Sequence, residues 1–115
     1  MDGKDTQLIL DREYSCEFDK LRRNRVLQSF FKYGPAQKNF GGGLTDAIEN
    51  LKLCLAKFEE TGNTEYLCDV ANYARFGYMF PKPGQFFRAT GSDESAGIVG
   101  TSYNAMMEEI ENDGM

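Results

Sequence analysis

Apolar residues recur at three- and four-residue intervals along much of this chain, most regularly from Leu44 to Pro81. Leu44, Ala47, Ile48, Leu51, Leu55 and Phe58 fall on one face of a helix, the clearest core stripe in the sequence. Thr45 is placed to cap its start, and Asp46 sits favourably near the positive end of the dipole. Gly62 supplies the stop, and Asn63 or Thr64 opens a following helix. Leu67, Val70, Ala71 and Ala74 give that helix an apolar side, whose alanines permit close approach. Pro81 ends it, and Pro83-Gly84 marks a turn. The two helices, joined by the tight Thr61-Gly62-Asn63 connection, make an αα-hairpin.

Upstream, the pattern predicts one long helix from Asp11, its cap, to Tyr33. Tyr14, Phe18 and Leu21 keep helical spacing, whereas Val26, Leu27, Phe30, Phe31 and Tyr33 surround nearly the whole rod. A helix that apolar at its end is covered by the hairpin or by a second subunit. Gly34-Pro35 stops it, and the glycine-rich linker Gly34–Gly43 reads as a hinge or a close backbone contact. Residues 1–9 read as a frayed tail. Past the hairpin, Gln85–Ala89 predicts a short strand and Thr90–Gly100 a loop. Thr101–Ile110 predicts a short helix capped by Ser102, with Tyr103, Met106, Met107 and Ile110 on its apolar side. The expected architecture is mainly all-α. A long N-terminal helix packs on a central hairpin in a single domain, with a helical core over 10–81 and a loop-rich arm over 82–115.

Charge changes this picture by its placement. Residues 1–40 hold eight Lys/Arg against six Asp/Glu; residues 41–115 hold five against twelve. The acidic half disfavours generic DNA binding and anionic membranes, which need clustered cations, and suits a basic protein partner or a divalent cation. No run of about 18 apolar residues and no secretory leader pattern appears, so the sequence reads as a soluble protein of the cytoplasm. Histidine is absent, which removes Ser-His and Cys-His nucleophile pairs and the usual zinc sites. Cys16, Cys54 and Cys68 lack metal-ligand spacing and read as reduced thiols. Cys54 and Cys68 stand about equally far from the Gly62 turn and are expected to pack as small apolar groups.

Three groups carry candidate chemistry. Lys20, Arg22, Arg23 and Arg25 are either a phosphate contact or a solvated face paired with Glu17 and Asp19. Glu65, Asp69 and Asn72 share one face of the second hairpin helix, and Asp46, Glu49 and Asn50 share one on the first. Their oxygens suit a hard divalent cation, although Asp46 and Asp69 would differ in height by about 13 Å along the hairpin axis. Phe80, Phe86, Phe87 and Arg88, with Asp93 and Glu94 beyond them, offer aromatic and charged anchors for a protein partner. The same aromatics can instead pack beneath the C-terminal loop.

SFFKYGPAQKNFGGG (Ser29–Gly43), TGNTEYLCDVANYA (Thr61–Ala74) and FRATGSDESAGIVG (Phe87–Gly100), in this order and spacing, resemble small proteins encoded by phages and prophages of Firmicutes. That resemblance implies an accessory protein that binds a host component without turnover, as anti-CRISPR and related counter-defence proteins do. KYG…NF followed by EYLCDVANYA is also distantly similar to nucleotide-modification-associated and MazG-like all-α families. This second likeness implies Mg²⁺ held by Glu65 and Asp69. Arg22, Arg23, Arg25 and Arg88 would then meet the phosphate, and Tyr73 or Tyr78 would stack on the base. The paired ExxE and ExxD patterns of those families are missing here. The sequence therefore favours a non-catalytic binder that pairs with a second copy through the apolar half of the first long helix. A nucleotide pyrophosphatase or nucleotide sponge is the alternative.

Overall fold

Four α-helices account for most of the regular structure in the computed structural model, which describes residues 3–97. They are α1 (Gly3–Glu13), α2 (Cys16–Tyr33), α3 (Ala47–Thr61) and α4 (Glu65–Met79). A one-turn π-helix, Gln37–Gly41, lies between α2 and α3, and a single 3₁₀ turn spans Ser92–Glu94. The mainly all-α expectation holds. No strand forms among the described residues, so the strand expected over Gln85–Ala89 is replaced by irregular backbone. The helix expected over Thr101–Ile110 lies outside the described residues. The chain divides into two compact units, Met1–Gln85 and Phe86–Met115.

The long N-terminal helix is two helices. Ser15 takes an extended conformation (φ −111°, ψ 110°), and its Oγ accepts a hydrogen bond from Phe18 N at 3.1 Å. That satisfies one of the four N–H groups a helix start leaves open, so Ser15, not Asp11, caps α2. Asp11 lies inside α1, where its Oδ1 accepts from Gln7 Nε2 one turn earlier at 2.8 Å. Residues from Gly3 onward, expected as a tail, are thus helical. Gly34 ends α2 at φ 85°, its N–H bonded to Phe30 O.

The hairpin forms, but of the stripe expected on its first helix only Ala47 is buried: Leu51 and Phe58 are half-buried, and Leu44, Ile48 and Leu55 are exposed. Gly62 adopts the left-handed conformation (φ 71°), and its N–H closes on Phe58 O at 2.7 Å. Asn63 Oδ1 accepts from Glu65 N, which starts α4. At the other end the cap is Asp46 rather than Thr45: its Oδ1 accepts from both Ile48 N and Glu49 N. Asp46 also pairs with Lys82, which ties the chain leaving α4 back to the start of α3.

α4 is the central element, packed against α3 and against α2. Its buried side is Cys68, Asn72 and Phe76, one residue per turn, and so is rotated from the expected Leu67, Val70, Ala71 and Ala74. Ala74 is exposed, and the other three are half-buried. Close approach to α3 comes from Gly77 and Ala47: a Cβ at Gly77 would stand 3.2 Å from Ile48 Cδ1. The π-turn packs on the same end, with Gly41 against the Phe80 ring. The glycine run is therefore a close backbone contact.

Candidate functional site

The carboxylates expected to hold a metal and one of the cations expected to hold a phosphate meet each other. Arg25 on α2 reaches Asp69 on α4 through two hydrogen bonds, Nε to Oδ1 at 2.6 Å and Nη2 to Oδ2 at 2.9 Å. Its Nη1 donates to Glu65 Oε1 at 2.5 Å. This fork-on-carboxylate geometry is the strong form of an ion pair. The Asp69 hydrogen bond is the chief reason the Arg25 pKa lies above its usual value. Arg22 and Arg23 both pair with Asp19 on their own helix. Asp19 is accordingly held below the usual carboxylate range, first by the Arg22 hydrogen bond. The Arg-rich run is thus a paired structural face, and Glu65 and Asp69 serve the α2–α4 seam.

A cleft of about 420 Å³ opens beside that seam, between the C-terminal half of α2, the π-turn, the start of α3 and α4. Its apolar wall includes Val26, Phe30, Tyr33, Phe40, Tyr73 and Phe76. Phe40 stacks on Phe76 (4.7 Å between centroids, 15° between planes) and meets Tyr73 edge-on at 6.0 Å. Burial pushes the Tyr73 phenol up. Polar lining comes from Ser29, Thr45, three asparagines and Asp69; among the described residues neither Lys nor Arg lines the cleft. Asn39 Nδ2 donates to Tyr33 O, and Asn50 Nδ2 donates to Thr45 Oγ1 and Asp46 O. Asn72 is 5% exposed; its Nδ2 donates to Arg22 O at 3.0 Å, while its Oδ1 is sealed from solvent with no hydrogen-bond partner.

Periodicity sets Asn72 on one face with Glu65 and Asp69 but does not reveal the cleft as a unit. The usable signal was the Cys68-x-x-x-Asn72-x-x-x-Phe76 spacing, which sets an amide into an otherwise apolar stripe. Of the two tyrosines considered for stacking, Tyr73 lines the cleft and Tyr78, exposed on α4, does not. Asp46 and Glu49 are taken up by capping and by a pair with Lys52. A second groove, of about 620 Å³, follows the N-terminal ends of α2 and α4. Arg25 and Glu65 line this groove and Asp69 lines the cleft, so the Arg25–Asp69 pair is the partition between them.

Of the expected partner anchors, Phe80 is half-buried on Gly41 and belongs to the helical unit. Phe86 and Phe87, each 77% exposed, lie in the second unit with the exposed Arg88, Asp93 and Glu94. On α2, Leu27 and Phe31 are 57% and 82% exposed and do not line the cleft. Burial raises the pKa of both Cys54 and Cys68, with Asp69 adding to the effect, which makes these two thiols poor nucleophiles; Cys16 is exposed. No helix among the described residues is long and apolar enough to cross a membrane. No family model, curated protein or solved structure matches the chain.

Proposed function

We propose that this protein acts by stoichiometric binding, as a small acidic accessory protein of the phage counter-defence kind that captures a host protein. The observation carrying the proposal is the placement of large aromatic and aliphatic side chains on the surface. Phe31 and Leu27 stand out from α2, and Phe86 and Phe87 from the second unit. Side chains of this size each add about 1.5–3 kcal/mol when covered, so a surface keeping several of them has a strong drive to meet another protein.

The two surfaces take different occupants in this reading. Leu27 and Phe31 are one turn apart on α2 and pair with a second copy across a two-fold axis. Phe86 and Phe87 anchor the host partner. Asp93 and Glu94, with the net charge of −5, favour a basic one by charge complementarity. The engagement of Asp69 and Glu65 by Arg25 supports binding over Mg²⁺-dependent hydrolysis.

Affinity purification from an infected host tests the reading, with wild type and a Phe86→Ala/Phe87→Ala variant run in parallel. The expected result is a basic protein recovered stoichiometrically with wild type and lost with the variant, both chains keeping their helical circular dichroism. Recovery of the same protein by both chains, or Mg²⁺-dependent nucleotide hydrolysis abolished by Asp69→Ala, would overturn it.

A further inference from the structure

The helical unit carries an arm and a groove that match each other. The arm is α1: it has no buried residue, and Leu8, Ile9 and Leu10 are between 46% and 55% exposed. The groove is the one along the N-terminal ends of α2 and α4, floored by Phe18, Leu21, Leu67 and Cys68 and rimmed by Glu17 and Glu65. On α1, Lys4, Leu8 and Arg12 recur at four-residue spacing, so an apolar side chain stands between two cations on one strip of the helix. Such a strip suits a groove with an apolar floor and an acidic rim.

α1 does not reach the groove of its own chain as the helices stand. Tyr14 N–H bonds to Leu10 O at 2.9 Å, closing α1, and Asp19 N–H bonds to Ser15 O at 3.2 Å, opening α2. Helical hydrogen bonds thus run up to the joint from both sides, whereas helices that double back are joined by about 2–5 free residues. A joint this short favours exchange of the arm between copies over closure within one. The groove begins at Ser15, where α1 departs. A two-fold axis along α2 sets the two α2 starts side by side, so each arm begins next to the other copy's groove. Leu27 and Phe31 follow Asn24 and Gln28 of the groove at three-residue spacing, as neighbours on the helix surface.

We propose that α1 of each copy lies in the α2–α4 groove of a second copy, with Leu8 on the apolar floor and Lys4 and Arg12 toward the acidic rim. The exchange rests on the pairing of two copies through Leu27 and Phe31 and adds to it an occupant for the groove. It also gives the exposed aliphatic residues of α1 a surface that covers them.

Isotope-filtered NOE spectra of an equimolar mixture of labelled and unlabelled full-length chains test this, because only contacts between copies are seen in such a mixture. Contacts from the Leu8 methyls to the Phe18 ring and to the Leu21 and Leu67 methyls are expected. Leu8→Glu alters a position that is exposed in the single chain, so its helical circular dichroism should match wild type. It is expected to weaken self-association about a hundredfold in analytical ultracentrifugation, about tenfold at each of two symmetric sites. The same contacts in uniformly labelled protein but not in the mixture would mean that the arm folds back on its own chain, which overturns the proposal. So does a dimer lacking them in both samples, or one that Leu8→Glu leaves as tight as wild type. A dimer without these contacts leaves the Leu27 and Phe31 pairing standing, whereas a monomeric wild type removes both. Neither result bears on capture of a host protein through Phe86 and Phe87.

Discussion

Arg25 and Asp69, 44 positions apart in the chain, face each other across the α2–α4 seam with two hydrogen bonds of 2.6 and 2.9 Å. The pair fixes the height of α2 on α4 and thereby the shape of the cleft beside it. Its side chains are 34% and 19% exposed, so solvent screens it only in part. Arg25→Ala is expected to cost about 1–2 kcal/mol in urea unfolding, with a coupling of about 1 kcal/mol in the double cycle with Asp69→Asn. A coupling near zero would show that the seam is held by its apolar contacts alone.

Acid should weaken the join between Asp46 and Lys82. The hydrogen bond from Lys82, then the Glu49 backbone N–H, hold the Asp46 pKa below its ordinary value of 3.8. A depressed folded-state pKa contributes stability that is present above about pH 3.8 and lost as pH falls through the folded value. Wild type should therefore exceed Asp46→Asn in urea midpoint near neutrality, and the two should converge below pH 3.8. Asp19, held down first by Arg22, adds a loss of the same sign in the same range.

The π-turn beside the cleft depends on a glycine. A Cβ at Gly42 would overlap the Lys38 carbonyl oxygen, a backbone atom that cannot swing aside. Gly42→Ala should cost about 1–3 kcal/mol and displace the Phe40 ring resonances, since Phe40 lies within the turn. Gly62→Ala meets no neighbour, but its left-handed conformation costs about 1 kcal/mol and should leave those resonances in place.

Arg75 is buried at Nε and Nη2 without hydrogen-bond partners, and burial is the chief cause of its lowered pKa. Unpaired buried donors cost about 1–3 kcal/mol. Arg75→Met removes those donors together with the guanidinium's contact on the Phe76 ring (5.0 Å to the centroid), a smaller loss, so thermal melts should give a Tm equal to or above that of wild type. A clear drop would mean that the guanidinium's contacts outweigh its unpaired donors.

Local chemistry made the hairpin legible in the sequence. Gly62, Pro81 and the apolar stripe through Leu51 and Phe58 act within a few residues of themselves. The break at Ser15 was harder to see, because Asp11 offers the same capping chemistry and the apolar spacing runs on through Tyr14. The helical character of residues 3–9 and the rotation of the α4 buried face were likewise hidden, since both depend on what the helices meet. The partner of the α4 acids was hidden for the same reason. Periodicity places Glu65 and Asp69 on one face, but only the position of α2 reveals Arg25 there to neutralise them. The cleft needed α2, the π-turn, α3 and α4 brought together, and no single stretch announces it.

In the proposed reading, Leu27 and Phe31 stand out from α2 because a second protein surface covers them. Light scattering on the purified chain at tens of micromolar tests this most directly, with Phe31→Asp as the comparison. The expected result is a dimer for wild type and a folded monomer for Phe31→Asp. A wild-type monomer at that concentration would contradict the reading.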